Sequence, residues 1–314
     1  MTALDIIVVG ELNADLILQD MPSLPEMGKE KLAGNMTLTM GSASAILATN
    51  IARLGQKVGF TGKLGDDLFG KLVLETLQSR NVGTEGILID EQVQTGVTVV
   101  LSFPDDYAMV THMGAMADFS VDDIDFSYIR KAKHLHLSSF YLQPKLRSGA
   151  AELFEKAKDL GLTTSLDPGW DPAEAWEEDL LETLHFVDVF LPNKQEAFHI
   201  SGTTQLQDAF EVLNNFTDTI VATQGSKGVL CYHQGETIAA SVYQVEPQDT
   251  TGAGDSFNAG FLSQWLHQQD IRRAIKYGSA CGAIATTKLG GSTASPTPEE
   301  VEQFFSAHPE DIFV

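Results

Sequence analysis

The chain has 314 residues, enough to bury a sizeable core, and 43% of them are hydrophobic, a globular rather than a disordered composition. Its 20 basic and 43 acidic residues give a formal net charge of −23. That argues against a nucleic-acid partner, because holding phosphate backbones needs clustered Lys and Arg. No apolar run approaches the roughly 20 residues of a membrane helix, and the N-terminal stretch MTALDIIVVGELNAD lacks the basic region of a signal peptide. The expectation is a cytoplasmic protein with no membrane contact.

In chain order, Ile6 to Val9 reads as a short strand closed by Gly10. Leu12 to Met40 is extended and rich in Pro and Gly. A helical pattern runs from Ala43 to Leu54, with Gly55 as its stop signal. Val58 to Phe60 reads as a strand, and Asp66 and Asp67 offer caps for a helix through about Leu77. Thr95 to His112 predicts a hairpin turning at Pro104-Asp105-Asp106. This segment and Leu12 to Met40 suit either a small β-flap or two surface excursions.

Further on, strands are expected at Leu135 to Leu137, Thr163 to Leu166, Phe186 to Leu191 and Ile220 to Thr223. Helices are expected at Leu146 to Leu160 and around Glu196 and Ala209. After Gly254 the chain turns helical, to about His267, then from Ile271 to about Thr287 and from Pro298 to Ala307. Strands alternating with helices predict an α/β fold with a mostly parallel sheet covered on both faces. The two cysteines, Cys231 in GVLCYH and Cys281 in SACGAIA, are too few for a disulfide framework or a thiolate metal site and read as buried thiols.

The most informative stretch is Asp249 to Leu262, DTTGAGDSFNAGFL. Gly252, Ala253 and Gly254 leave the backbone accessible just before an apolar helical run. Such a turn presents N–H groups at the positive end of a helix, which is an anion site. Asp255 follows at once, and a carboxylate there can accept a proton from an attacking hydroxyl. Taken alone, the pattern equally describes an Asp cap on a glycine-rich helix start.

The whole segment resembles the C-terminal signature of the ribokinase-like sugar kinases, the phosphofructokinase-B type family. The resemblance extends along nearly the whole chain, through Asn13 and Asp15 in GELNAD, GSASAILATNIARLG from Gly41 to Gly55 and KLGDD with Gly70. It continues through Asn193 and Glu196 in LPNKQEA and Thr223, Gly225 and Gly228 in TQGSKGV. It implies one kinase domain over residues 1–314, a three-layer ribokinase-like sandwich with a small β-sheet lid at about 12–40 and 95–112.

The implied function is ATP-dependent phosphorylation of a hydroxymethyl group on a sugar-like acceptor. Asp255 would be the general base, with Gly252, Ala253 and Gly254 as the anion hole. Asn193 and Glu196 would organise Mg²⁺ through its waters. Thr223, Gly225 and Gly228 would line the nucleotide site. Asn13, Asp15, Gly41 and Ser42 would face the acceptor. Asp249 and Thr251 would hold a monovalent cation, K⁺, with the loop from Gly290 to Ser295. Relatives often pair through the lid, which implies a homodimer.

Two positions depart from the family pattern. Ser42 stands for its second glycine and Ile46 for an asparagine that contacts a sugar hydroxyl. LDPGWDP, Leu166 to Pro172, lacks the Asn and Arg that grip the carboxylate of keto-deoxy sugar acids. The expected acceptor is therefore neutral. A nucleoside kinase, a 2-keto-3-deoxygluconate kinase and a non-catalytic sugar-binding relative are the alternatives. A nicotinamide dehydrogenase is disfavoured because GELNAD replaces the G-x-G-x-x-G turn.

Overall fold

The structure, a computed structural model, describes residues 4–104, 106–250, 252–288 and 295–314. A nine-stranded sheet runs in the order β13 (Glu236–Ala240), β12 (Val229–His233), β11 (Thr219–Thr223), β10 (Val189–Phe190), β9 (Thr163–Leu166), β8 (His134–Leu137), β1 (Ile6–Val9), β4 (Val58–Gly65) and β5 (Gly83–Asp90). From β11 to β5 all pairings are parallel, and β12 and β13 add an antiparallel edge. The helices are α1 (Ala43–Arg53), α2 (Leu68–Ser79), the single turns α3 (Ala115–Asp118), α4 (Phe126–Ile129) and α5 (Pro144–Arg147), then α6 (Ala150–Asp159), α7 (Asp179–Leu184), α8 (Lys194–Ser201), α9 (Leu206–Leu213), α10 (Ala253–Gln268), α11 (Ile271–Thr286) and α12 (Pro298–Ala307).

Both faces of the sheet are covered. In β1, Ile6 and Val8 enter the core shared with α1, α10 and α11, while Ile7 and Val9 enter the core shared with α6, α8 and α9. An apolar residue at every position, rather than at alternate ones, is what a strand buried on two faces requires.

The two segments left open between a flap and surface excursions form one sheet. Its order is β3 (Asn35–Met40), β2 (Asn13–Gln19), β6 (Gly96–Ser102) and β7 (Tyr107–His112). The join is a parallel pairing of β2 with β6, Asn13 opposite Gly96 through Leu18 opposite Leu101.

Three expectations need correction. The helix expected over Leu146 to Leu160 is two helices, α5 and α6, parted at Ser148 and Gly149. The strand expected over Phe186 to Leu191 is only Val189–Phe190. The sequence reading also passed over β5 and the β12–β13 hairpin. β5 alternates half-buried and exposed positions at the sheet edge, so it carries little apolar signal.

Where a parallel sheet changes direction of progression, loops at the carboxyl ends of its strands diverge and leave a crevice. Here the chain leaves β1 toward β4 on one side and reaches β8 on the other. Glu11, Ser139, Asp167, Asn193 and Thr223 all stand at or just beyond the carboxyl ends of their strands. Two cavities of about 620 and 370 Å³ open instead at the amino ends, beside Leu4, Val58 and Gly83 and beside Thr163, Asp188 and Thr219.

Candidate active site

Helix α10 is preceded by its N-cap Gly252, whose φ of 73° places it in the left-handed region, and no side chain among the described residues is seen to cap this end. The Ala253 N–H is donated to the Thr250 carbonyl at 3.3 Å, so of the three expected anion donors one is already engaged in a turn. Gly254 has no positive φ, and a Cβ added there would meet nothing within 4 Å among the described residues. Its glycine is required neither by the backbone nor by a neighbour, although glycine in a helix costs about 1 kcal/mol relative to alanine.

Asp255 keeps some solvent contact. Desolvation, followed by the charges of Asp167 and Glu11, nevertheless pushes its pKa up to about 8. Asp167 sits directly after β9, where the Gly169 N–H donates to it at 2.9 Å and Asn258 Nδ2 of α10 at 2.7 Å. Burial raises it to about 6. Glu196 is pushed up to about 8 by burial and then by Asp167, with a smaller contribution from Asp255. The charge of Asp167 thus raises both Asp255 and Glu196, and no ion pair is made by any of the three among the described residues.

Asn193 and Glu196 form a capping box on α8. Asn193 Oδ1 accepts from the Gln195 and Glu196 N–H groups at 2.9 and 3.0 Å, and Glu196 Oε2 accepts from the Asn193 N–H at 2.7 Å. A cap on an isolated helix would not need its glutamate 6% exposed and within electrostatic reach of Asp167 and Asp255. Asp167 and Asn258 were not picked out from the sequence. Their only signal was an Asp directly after a strand and an Asn three residues beyond Asp255.

These carboxylates suit a hard divalent cation, which takes oxygen ligands and would relieve their mutual repulsion. No three candidate ligands among the described residues lie close enough to hold a metal alone. Mg²⁺ commonly keeps water and substrate phosphates as the remainder of its shell. Of the monovalent-cation set, Thr251 and Gly290 to Thr293 lie outside the described residues, as does Ala294. Asp249 donates its N–H to the Thr286 carbonyl at 3.2 Å, and Ser295 is buried.

On the small sheet, Asn13 Nδ2 donates to Asp15 Oδ1 at 2.8 Å and to Thr98 Oγ1 at 3.2 Å, and Thr98 bonds Thr111. Burial lifts Asp15 to about 6, partly offset by the Asn13 amide. Gly41 lets that carboxylate approach, since an added Cβ would lie 2.2 Å from Asp15 Oδ1. Ser42, the departure from a glycine pair, has φ 70°. A side chain in this region costs about 1–2 kcal/mol. Its hydroxyl donates to the Glu11 carbonyl at 2.6 Å and accepts from the Ala45 N–H at 2.9 Å. Ile46 is half-buried and belongs to neither core.

Asp171, in the LDPGWDP stretch, is buried and accepts N–H bonds from Ala173, Ala175 and Trp176. It closes a turn. Thr223 ends β11, its N–H donated to the Pro192 carbonyl at 3.2 Å. Gly225 and Gly228, at φ 58° and 88°, shape the turn into β12. Both cysteines are buried and burial pushes their thiols up, Cys231 to about 12, as expected for inert thiols.

A glycine-rich helix N-terminus beside a carboxylate, at the carboxyl ends of a parallel sheet, is an arrangement that suits phosphoryl transfer. The sequence matches the pfkB family of carbohydrate kinases over residues 3–298, and the chain belongs to that family. It is 32% identical over 304 residues to an ATP-dependent ribose-1-phosphate kinase of Halopiger xanaduensis, covering 96% of this chain and 98% of that one. It is 29% identical to the ribokinase of Haemophilus influenzae, covering 95% and 97%.

Among solved structures, Arabidopsis thaliana ribokinase with ribose and ATP superposes with a TM-score of 0.86 at 25% identity, covering 96% and 98%. A Vibrio cholerae fructokinase double mutant with fructose, ADP and potassium ion bound gives 0.79 at 26%, covering 97% and 99%. An E. coli chain with ATP and Mg²⁺ gives 0.86 at 21%, covering 97% and 100%, a likeness of fold. The fold is ribokinase-like, and the protein is a sugar kinase, transferring phosphate to an alcohol group.

Proposed function

We propose that this kinase transfers the γ-phosphate of ATP to a hydroxymethyl group of a neutral, hydroxyl-rich sugar. The observation that carries this reading is the glycine-rich start of α10, with open space among the described residues at Gly254 and Asp255 one residue on. Asp255 takes the proton of the attacking hydroxyl. The Gly252 and Gly254 N–H groups, joined by Ala253 once its turn bond opens, receive the negative charge of the transferring oxygens. Asp15 and Asn13 accept hydrogen bonds from acceptor hydroxyls, with Gly41 and Ser42 as the adjoining wall. The turn of Thr223, Gly225 and Gly228 lies along the nucleotide. Mg²⁺ held near Glu196 and Asp167 offsets phosphate charge.

The acceptor is read as neutral because the acidic site repels anions and the nearby cations are taken. Lys29 and Lys31 both pair with Glu26, and Lys63 pairs with Asp118 and Asp123. One relative is named for a sugar phosphate, so the test must include one. The experiment measures acceptor-dependent ADP release across ribose, fructose, adenosine, 2-keto-3-deoxygluconate, fructose 6-phosphate and ribose 1-phosphate. Turnover on a neutral sugar supports the reading. A higher kcat/KM for any of the three anionic compounds defeats it, and adenosine as best substrate would establish the nucleoside alternative.

A metal requirement follows from the three carboxylates. Activity is expected to vanish in excess EDTA and return with Mg²⁺. Glu196→Gln should raise the half-saturating Mg²⁺ concentration about 10-fold or more, the size of a perturbed metal shell. Unchanged Mg²⁺ dependence would remove Glu196 from the metal's surroundings.

The small sheet is read as a lid that keeps water from the γ-phosphate, within one domain spanning residues 1–314. On its face away from Asp15, the rows Leu38–Leu16–Val99–Val110 and Met36–Leu18–Leu101–Ala108 are apolar. Met36 and Val110 are 61% and 68% exposed, which fits pairing of two lids in a homodimer. Sedimentation that gives a monomer at all concentrations would reject the dimer.

A further inference from the structure

The stretch KLGDDLFG, Lys63 to Gly70, spans the end of β4 and the first turn of α2, and the reaction makes no direct use of it. Lys63 is 7% exposed, on a strand buried at every position. A lysine buried to that degree needs its charge matched. Its Nζ lies 3.0 Å from Asp118 Oδ2, 3.2 Å from Asp123 Oδ2 and 3.9 Å from Asp90 Oδ2. Asp118 Oδ1 is taken by Lys145 of α5, and Asp123 Oδ2 also accepts from the Ser120 N–H at 2.9 Å.

The partners of Lys63 bracket one half of the small sheet. Asp90 ends β5, the last element before the β6–β7 hairpin, and Asp118 ends α3, the first element after it. Asp123 lies in the 3₁₀ turn Val121–Asp123 that follows. Desolvation offsets much of the attraction in a buried ion pair, so such a cluster is weak as a stabiliser. What it does here is hold both roots of the hairpin at one point of β4.

The rest of the stretch grips the same hairpin by its base. Asp67 has both oxygens in use. Oδ1 accepts from the Gly70 N–H at 2.8 Å, capping α2, and Oδ2 accepts from the Thr95 N–H at 2.8 Å. Thr95 Oγ1 accepts from the Gly65 N–H at 3.0 Å. A Cβ at Gly65 would collide with the Val93 carbonyl, and one at Gly70 with the Gly65 carbonyl and the Thr95 hydroxyl. Neither glycine has a positive φ, so both serve close approach of the backbone. On the exit side, the Ala115 N–H donates to the Gln94 carbonyl at 2.8 Å and closes the base of the hairpin. Gly114, at φ 51°, stands where a Cβ would strike that carbonyl.

From its base the hairpin reaches the acceptor side through direct bonds. Thr98 of β6 bonds Thr111 of β7 at 3.0 Å and accepts from Asn13 Nδ2 at 3.2 Å, and the same Asn13 amide donates to Asp15 at 2.8 Å.

We propose that Lys63 and Asp67 are positioning residues: they anchor the base of the β6–β7 hairpin to β4 and α2, and through Thr98 and Asn13 they set where Asp15 meets the acceptor. This rests on the reading of Asp15 as an acceptor ligand and of the small sheet as a lid.

The test has two independent arms. The first is kinetic, with the best acceptor of the panel. An amide at position 67 offers one acceptor oxygen where two are in use, so Asp67→Asn gives up the hold on Thr95 or on Gly70. We expect KM for the acceptor to rise about 5–10-fold, the scale of one lost hydrogen bond, with KM for ATP within about twofold. A variant that merely unfolds more readily loses active enzyme and therefore kcat, with acceptor KM unmoved.

The second arm is amide hydrogen exchange without substrates. Exchange should accelerate at least about 10-fold at residues 94–98 in Asp67→Asn and at residues 113–118 in Lys63→Met, with β8 and β9 unchanged in both. Faster exchange there together with the rise in acceptor KM supports the proposal. Unchanged exchange at both roots of the hairpin, or acceleration spread evenly over the main sheet, overturns it. Faster exchange at the roots with acceptor KM within twofold of the parent overturns the link to the acceptor, and with it the reading of Asp15, while the anchoring of the hairpin stands. Should either variant fail to fold, Thr95→Val removes the acceptor of the Gly65 N–H and spares the α2 cap. Faster exchange at residues 94–98 then supports the proposal, and unchanged exchange overturns it.

Discussion

Asp255→Asn is expected to lower kcat by about 10²–10⁴, the usual contribution of a general base, while ATP affinity changes little. The carboxylate works as a base only when ionised, and burial with the neighbouring Asp167 and Glu11 charges holds its pKa up to about 8. In the parent enzyme kcat/KM should therefore rise with pH through that region, and the Asn variant should lack this acid limb. Stability moves the other way. A carboxyl whose pKa is raised on folding favours the fold at low pH, and that contribution is lost as pH climbs from the unfolded value toward about 8. The Asn variant should accordingly unfold at a higher temperature than the parent above pH 8, an exchange of stability for function typical of buried catalytic charge. Near-parent turnover by Asp255→Asn, or an unshifted acid limb, would exclude Asp255 as the base.

Gly254→Ala is expected to separate folding from catalysis. The position has no positive φ and, among the described residues, no neighbour within 4 Å of an added Cβ, so the fold should tolerate alanine. Helix propensity predicts a gain of up to about 1 kcal/mol in stability. If the open space receives the transferring phosphoryl group, the methyl occupies it, and kcat should fall by about 10²–10³, the loss seen when one donor to a developing oxyanion is removed. Gly252 is the contrast, because its φ of 73° makes any side chain there costly to the fold as well. Melting curves with steady-state kinetics decide the matter. An alanine variant that is both stable and fully active would show that the helix start does not cradle phosphate.

Much of the molecule was legible because its signals are local. The helical pattern of α1, the apolar helical run of α10, the Asp67 cap of α2 and the Gly55 and Gly161 stops are local signals, and the structure places them within a residue or two. The small-residue run at Gly252–Gly254 ahead of an apolar helix is equally local. Continuous apolar runs such as Ile6 to Val9 indicated strands buried on both faces.

What the sequence left open was long-range. Whether residues 12–40 and 95–112 made a sheet depended on β2 pairing with β6 about 80 residues away, which no local pattern encodes. The brevity of β10 was hidden because flanking apolar residues bury without joining the ladder. The sequence determined by itself an alternating α/β chain with a glycine-rich helix start and an adjacent carboxylate. Only the tertiary structure brought Glu11, Asp167 and Glu196 to that carboxylate, because electrostatic coupling depends on separation and solvent exclusion in space, neither of which is a property of neighbours along the chain.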